Sequence, residues 1–529
     1  MKRLVCIIMS SACLFPFLCN AQVLQIYRKC IGLESYSTTS IDRLSIHIKE
    51  NEAYHKICQE DFNERLYLND IDSIVCLPVE EMQESSTSVS LETYLRMCMD
   101  NASSRFHVFS QLMEATGLMA QLSSIGYTLF VEPDAFWEKA IGINPASITI
   151  DDVKKYLIQK GAYPEAMTND DYANPKHLIF QFVSYHLVPV KVNPYRLVIH
   201  ANEYGYDIQR PSKIATPVVE YYPSMDSNHL LKLYESAESN GIFINRFPLL
   251  DNGRTGTGHE TTCPDGCIGV RIQKENAIKN LSNGFIYPIE GLLLYDESTR
   301  TNLGKERLRF DAASLIPELM NNDIRKKCST AEKDKEVVID SSNGNNLTIN
   351  EDATLLYCNP YHNEGSYYQG DFLKCTGLYD ITLRLPPVPV SGNYQLRMGS
   401  MLTSNGSIFQ SYWGDDKNLL APQGIPTDWR QRDNIGWEDD IDESHDIQTD
   451  RNLQNCGWAK APNSISSPEY DSARRNPNCL RNIILQREMQ ADAIYYLRFK
   501  CVFQGELLLD YFELVPENIY DQLDGEDIW

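Results

Sequence analysis

Tyr185 and His186 stand side by side in a run that is otherwise nearly all apolar, from Phe180 to Pro189. An imidazole beside a phenol can move protons or hydrogen-bond a ligand near neutral pH. Buried in apolar surroundings with satisfied polar tips, the same pair is architecture. The composition of the run favours the architectural role for both, with ligand contact as the alternative. Other catalytic patterns are sparse. The chain holds 72 Asp and Glu residues, so carboxylate pairs are unavoidable. Glycoside hydrolysis needs two at a set separation, one with a raised pKa, and a linear sequence does not define that separation. No Gly-x-Ser-x-Gly elbow and no His-Glu-x-x-His motif occurs, and none of the ten histidines pairs at i, i+4. The expectation is a protein that binds without catalysing, with no cofactor and no metal.

Three further patterns have both a chemical and a plain reading. Cys263 and Cys267 are closely spaced, but no second such pair or histidine pair lies near them. A loop disulfide or free thiols is therefore favoured over a metal site. The Gly- and Thr-rich segment Asn252 to Gly258 lacks the spacing of a phosphate-binding loop and reads as a surface insertion. The acidic run Glu438 to Glu443 offers hard oxygen ligands for Ca²⁺ but no EF-hand spacing, so a solvated loop is expected. Tyr412, Trp413 and Trp429 fall in a region read as loops between strands, with Trp437 and Trp458 nearby. Exposed aromatic rings stack on the apolar faces of sugars. Trp413 and Trp429 are accordingly the first candidates for a glycan platform, with covering of a sheet edge as the alternative.

These residues must be positioned by a mixed first part and a β-rich second part. From Ser90, a plausible N-cap, Leu91, Tyr94, Leu95 and Cys98 share one helical face. Phe106, Phe109, Leu112 and Met113 form the next face, and Gly117 stops that helix. Thr149 followed by Asp152 predicts a capping box, with Val153, Tyr156 and Leu157 buried and Gly161 ending the helix. Thr128–Val131 and Leu197–Ala201 read as strands, Asn228–Glu238 as a helix, and Phe62–Leu68 with Ile71–Val75 as strands of a short leader. After Asp296 come strands near Leu355–Cys358, Asp380–Leu385, Asn393–Gly399, Ser407–Tyr412, Tyr495–Phe503 and Leu507–Leu514, punctuated by Pro and Gly turns. Short strands broken this way predict a β-sandwich.

Three stretches carry a family resemblance: Tyr127 to Phe136, Phe180 to Pro189 and Asn283 to Leu294. In order and spacing they resemble a fasciclin domain, with one residue fewer between Phe130 and Ala135 than the family pattern. The resemblance covers about residues 86–297 and implies an extracellular adhesion and ligand-binding module. Tyr185 and His186 align with that family's Tyr-His motif, a site linked to adhesion. The stretches Ile381–Met398, Gly424–Asp428 and Leu509–Pro516 look like a galactose-binding-like jelly roll. Such a domain often follows a fasciclin domain in Bacteroidetes surface proteins, and residues 22–85 resemble their short strand-bearing leaders.

The remaining bounds come from composition. A basic start at Lys2 and Arg3, an apolar run from Leu4 to Leu18 and a small residue at Ala21 predict a signal peptide, 1–21. Pro16, Phe17 and Leu18 before Cys19 do not suit lipidation. Of fifteen cysteines, Cys6, Cys13 and Cys19 leave with that segment. No later stretch reaches a membrane-spanning length, so no transmembrane segment is expected in the mature chain. A formal charge of −24 repels nucleic acid and anionic membrane. The reading is multidomain. A signal peptide spans 1–21 and a leader with linker 22–85. An α+β fasciclin-like domain with an insertion occupies 86–297, and a connector with a β-sandwich (jelly-roll) domain 298–529. Its expected work is non-catalytic, extracellular recognition of a glycan or a cell-surface or matrix protein. A structural accessory subunit and a divergent carbohydrate-active enzyme are the alternatives.

Overall fold

The computed structural model describes the strands between 23 and 77, then 89–123, 126–192 with 197, 218–225, 229–236, 241–247 and 269–321. It further describes the strands 335–339 and 342–343, then 346–359, 367–430 and 435–520 apart from scattered positions between 464 and 471. The proposed signal peptide, the Asn252–Gly258 segment, the Cys263–Cys267 pair and most of Leu197–Ala201 lie outside the described residues. The described chain is β-rich and multidomain, with its helices concentrated in the first part.

The helices start where side chains satisfy their free amides. Ser90 Oγ accepts from Thr93 N at 3.1 Å, and Leu91–Asp100 buries Leu91, Leu95 and Cys98. Thr149 and Asp152 form the reciprocal capping box of Ile150–Gln159. Asp134, which opens Asp134–Ile141, also caps its neighbour: its two carboxylate oxygens accept from His107 N and Val108 N, both at 3.1 Å. That arrangement starts His107–Ala115, whose own preceding residue, Phe106, has no capping side chain.

These helices pack on a four-stranded sheet ordered Ile278–Leu281, Gly284–Pro288, Tyr127–Val131, Leu187–Val188. The middle pair is parallel, Gly284 opposite Tyr127 through Pro288 opposite Val131. Every residue of both middle strands is buried, as expected of a parallel pair covered on both faces. Gly284 is required there: a Cβ would collide with the Tyr127 carbonyl oxygen and the Leu91 side chain. A second, antiparallel sheet runs Val270–Arg271, Gly241–Ile244, Leu230–Ser236, Val218–Pro223. It corrects the expectation of a helix at Asn228–Glu238. The sequence Leu-Leu-Lys-Leu-Tyr fits either period, and pairing with strands on both sides decides for the extended form.

The second part is antiparallel throughout its named pairings. A five-stranded sheet runs Leu308–Asp311, Tyr511–Pro516, Gly392–Met401, Cys479–Met489, Trp458–Lys460. A six-stranded sheet runs Ser342–Asn343, Leu347–Ile349, Asp380–Leu385, Tyr495–Phe503, Ile408–Gly414, Ala421–Asp428. The two meet through buried rings: Phe499 of the second stacks on Phe512 of the first at 6.4 Å between centroids. A seven-stranded sheet joins the leader strands Arg43–Lys49, Glu52–Gln59 and Phe62–Tyr67 to Lys335–Ile339, Ala353–Asn359, Phe372–Gly377 and Leu507–Leu509. The leader is thus built into a sheet of the carboxy-terminal part, with Glu64 opposite Ile339 at the seam.

One buried apolar core runs from Leu91 to Leu514 without a break between the two parts. Their junction is polar as well. Lys232 Nζ forms a buried ion pair with Glu306, Tyr221 donates its hydroxyl to Glu306 Oε2 at 2.8 Å, and Gln369 donates to Glu220.

Candidate functional site

The helix Leu178–Tyr185 delivers Tyr185 and His186 to the inside of the first part, where both are fully buried. The Tyr185 hydroxyl donates to Leu230 O at 2.9 Å and accepts from Asn245 Nδ2 at 2.8 Å. Asn245 presents that amide from a left-handed backbone, φ 53°, which asparagine tolerates better than most residues. Burial pushes the Tyr185 phenol well above its ordinary value, opposed by the Asn245 hydrogen bond. His186 donates from Nδ1 to Phe182 O at 2.7 Å, because a carbonyl can only accept, and its Nε2 faces Glu132 at 3.0 Å. The ring lies 4.4 Å from Phe182 and 5.5 Å from Phe109, centroid to centroid.

Glu132 ties this site together. It is fully buried, follows directly on Tyr127–Val131, and accepts from Leu293 N at 2.9 Å as well as facing His186. The three stretches that were separate in sequence therefore meet on one carboxylate: the first supplies Glu132, the second His186 and the third Leu293. Asn283 adds a further tie by accepting from Leu91 N at 2.8 Å through Oδ1. Sequence reasoning missed Glu132. Its signal was an acid in the middle of an apolar run, followed at once by Pro133, a place where a charge has to have a partner.

The tryptophans correct the expected glycan platform. Trp413 lies on a strand, 8 % exposed, stacked on Tyr495 at 4.6 Å with Arg487 at 4.7 Å on the ring. Trp429 is fully buried against Phe409 and Trp458 at 5.6 and 5.3 Å. Trp413 is taken up by the Tyr495 ring and the Arg487 guanidinium, and Trp429 is enclosed by Phe409 and Trp458, since large aromatics near the seam of two sheets gain more by filling it than by facing water. Trp413 and Trp429 are core residues. Tyr412 is different: alternation turns it to the opposite side of the strand from Trp413, and it is half-buried with Arg498 at 5.2 Å from its ring centroid.

The acidic run is anchored by cations. Asp440 binds Lys460 Nζ at 2.6 Å and Arg474 Nε at 2.7 Å, Asp439 binds Arg475, and Asp442 caps Glu443–Asn455 through His445 N. Burial raises the Asp440 carboxyl, but Lys460 and Arg474 outweigh it and leave it below the ordinary range. The run is still the expected loop, exposed at Glu438, Asp439, Ile441 and Asp442, with Asp440 alone drawn inward by its two cations. Among the described residues, no group of three His, Cys, Asp or Glu side chains is placed to hold a metal ion.

A second buried charge cluster was invisible in sequence. Glu513 is fully buried on Tyr511–Pro516, opposite Arg309 on one side and Arg397 on the other. Arg309 Nε donates to it at 2.8 Å and Arg481 Nη1 at 3.0 Å, with Arg307 at 3.5 Å. Burial pushes the Glu513 carboxyl up, but Arg481, Arg309, Arg307 and Arg397 together hold it well below the usual carboxylate range.

No family model matches the chain, and no curated protein matches it. Among solved structures, a match is to a xanthan lyase of Paenibacillus at 13% identity, with a TM-score of 0.18. It covers 36% of this chain and spans only 13% of the lyase. A likeness of that size carries no argument about fold or activity. No helix among the described residues is long and apolar enough to cross a membrane.

Proposed function

We propose that the chain is an exported, non-catalytic binding protein of the cell envelope, which recognises a glycan or a surface protein through a fasciclin-like unit joined to a galactose-binding-like jelly roll. The observation that carries this reading is the meeting of the three fasciclin-resembling stretches at Glu132, with Gly284–Pro288 in parallel register beside Tyr127–Val131. The two antiparallel sheets that share Phe499 and Phe512 support the jelly-roll part of it. Tyr185 and His186 serve that unit as its internal frame, so ligand contact falls to surface positions outside this pair. The second reading, an accessory subunit without a ligand of its own, is favoured by one observation: Trp413 and Trp429 are consumed in packing.

The test uses the chain from Gln22 onward on a glycan array and in an adhesion assay to immobilised matrix proteins, with a polysaccharide hydrolysis screen beside them. Binding without product release is expected. Reducing-sugar release that persists after further purification would overturn the non-catalytic reading, and absence of any binding would favour the accessory subunit.

A further inference from the structure

His186 and Glu132 are both fully buried, and their hydrogen bonds fix how many protons they hold between them. His186 Nδ1 lies 2.7 Å from Phe182 O, so the one proton of a neutral ring has to be on Nδ1. Nε2 then lies 3.0 Å from both oxygens of Glu132. With a neutral ring and an ionised acid, that contact would press a bare lone pair against a carboxylate. Away from water, two acceptors in that position repel and leave each other unsatisfied. One more proton turns the contact into a hydrogen bond, as imidazolium against carboxylate or as imidazole against carboxylic acid.

The surroundings offer no other remedy. The ring's neighbours are Phe182 and Phe109, at 4.4 and 5.5 Å between centroids. Glu132 accepts from Leu293 N, a neutral donor, and among the described residues no Lys or Arg forms an ion pair with it. The titratable groups of the packed elements are engaged elsewhere. Tyr185 is bonded to Leu230 and Asn245, and Tyr163 accepts from Tyr295 N. Asp134 accepts from His107 N and Val108 N, the His107 ring lies against Cys98 O and Gln111, and Asp296 caps Glu297–Leu303.

We propose that Glu132 and His186 share one proton throughout the neutral range, and that this proton latches the node where the three stretches meet. Folding draws it in. In the unfolded chain glutamate is ionised above about 4.3 and histidine is neutral above about 6.5, so above about 6.5 folding has to bind a proton. The stability that the pair contributes is therefore lost as pH rises, and alkali acts on the helix-bearing part at its centre.

The test compares urea unfolding of wild type and Glu132→Gln. The amide keeps the shape of the acid: its oxygen accepts from Leu293 N and its NH₂ donates to a bare Nε2, so the variant folds with no proton to hold. The unfolded chains differ only at residue 132, and titrations elsewhere, Asp492 and His229 included, cancel in the comparison. The ratio of folding constants, wild type over variant, should fall about tenfold per pH unit between about pH 5.5 and 7.5, a hundredfold in all. A level ratio overturns the proposal. Isotope-labelled histidine and glutamate in wild type, read by NMR, give an answer that does not depend on the variant folding. At the upper end of that range the pair should show a doubly protonated ring or a protonated carboxyl. A ring bare at Nε2 beside an ionised carboxyl overturns the proposal by itself.

Discussion

Replacing Glu513 by Gln keeps the shape of the side chain and one accepting oxygen but removes the charge that holds four arginines together. Arg397 and Arg481 are fully buried, and Arg307 and Arg309 are 4 and 8 % exposed, so none can turn to water without opening the sheet face. Removing one partner of a buried ion pair costs about 3–5 kcal/mol, because the remaining charge is left uncompensated. With several cations around one acid, the upper half of that range is expected. The sign with pH follows from the depressed carboxyl. Its contribution is fully present above the unfolded value of about 4.3 and is lost only as pH falls toward the lower folded value. Urea unfolding followed by tryptophan fluorescence should therefore show a gap between wild type and Glu513→Gln that is constant from neutral pH to about 5 and narrows only below about 4. The double variant Glu513→Leu with Arg481→Met should recover part of the loss. A gap under about 1 kcal/mol at neutral pH, or one that disappears in moderate salt as surface pairs do, would refute the buried-cluster account.

Asp492 offers an opposite case: burial raises its carboxyl to about 6, against the pull of Arg300, so its ionised form costs stability that reappears as pH falls through that value. Asp492→Asn, which suits the positive φ of 56° at that turn, should stabilise the chain by about 1–2 kcal/mol at pH 7 and lose its advantage below about pH 4; equal unfolding midpoints at pH 7 would count against it. Nearby His229, lowered to about 4 by burial and by Arg300, should make the wild type lose stability between its unfolded value of about 6.5 and 4, a loss absent from His229→Gln. Tyr185→Phe, which strips a partner from both Leu230 and Asn245, should cost about 1–3 kcal/mol, and Tyr185→Ala about 3–5 kcal/mol. Unchanged stability with lost ligand binding would return that residue to the binding site. Gly399→Ala places a Cβ inside the Tyr511 ring, and overpacking of that kind typically costs about 1–3 kcal/mol, read as a lowered urea midpoint.

Local signals carried much of the first part into the sequence. Ser90, the Thr149–Asp152 box and the Phe106-to-Met113 face were readable because capping and helical period act within a few residues. The strands Asp380–Leu385 and Tyr495–Phe503 were readable from their bounding turns. The Asn228–Glu238 segment was not, because its apolar residues satisfy both periods and only its sheet neighbours choose. Burial of Trp413 and Trp429 was equally out of reach: it depends on which side of the strand faces the second sheet, and a slip of one residue would have exposed Trp413 in place of Tyr412. Glu132 and Glu513 were single acids among many, and what distinguishes them is partners distant in sequence, Leu293 for the first and Arg309 for the second.

Because Phe62–Tyr67 adjoins Lys335–Ile339, the helix-bearing part is a detour between two neighbouring strands of one sheet. Tension applied at the leader passes directly across that seam into the carboxy-terminal sheets, where strands resist as ladders sheared lengthwise. The node formed by Glu132, His186 and Leu293 hangs to the side of that path. A pull on the leader would strain the seam first and leave the node at rest.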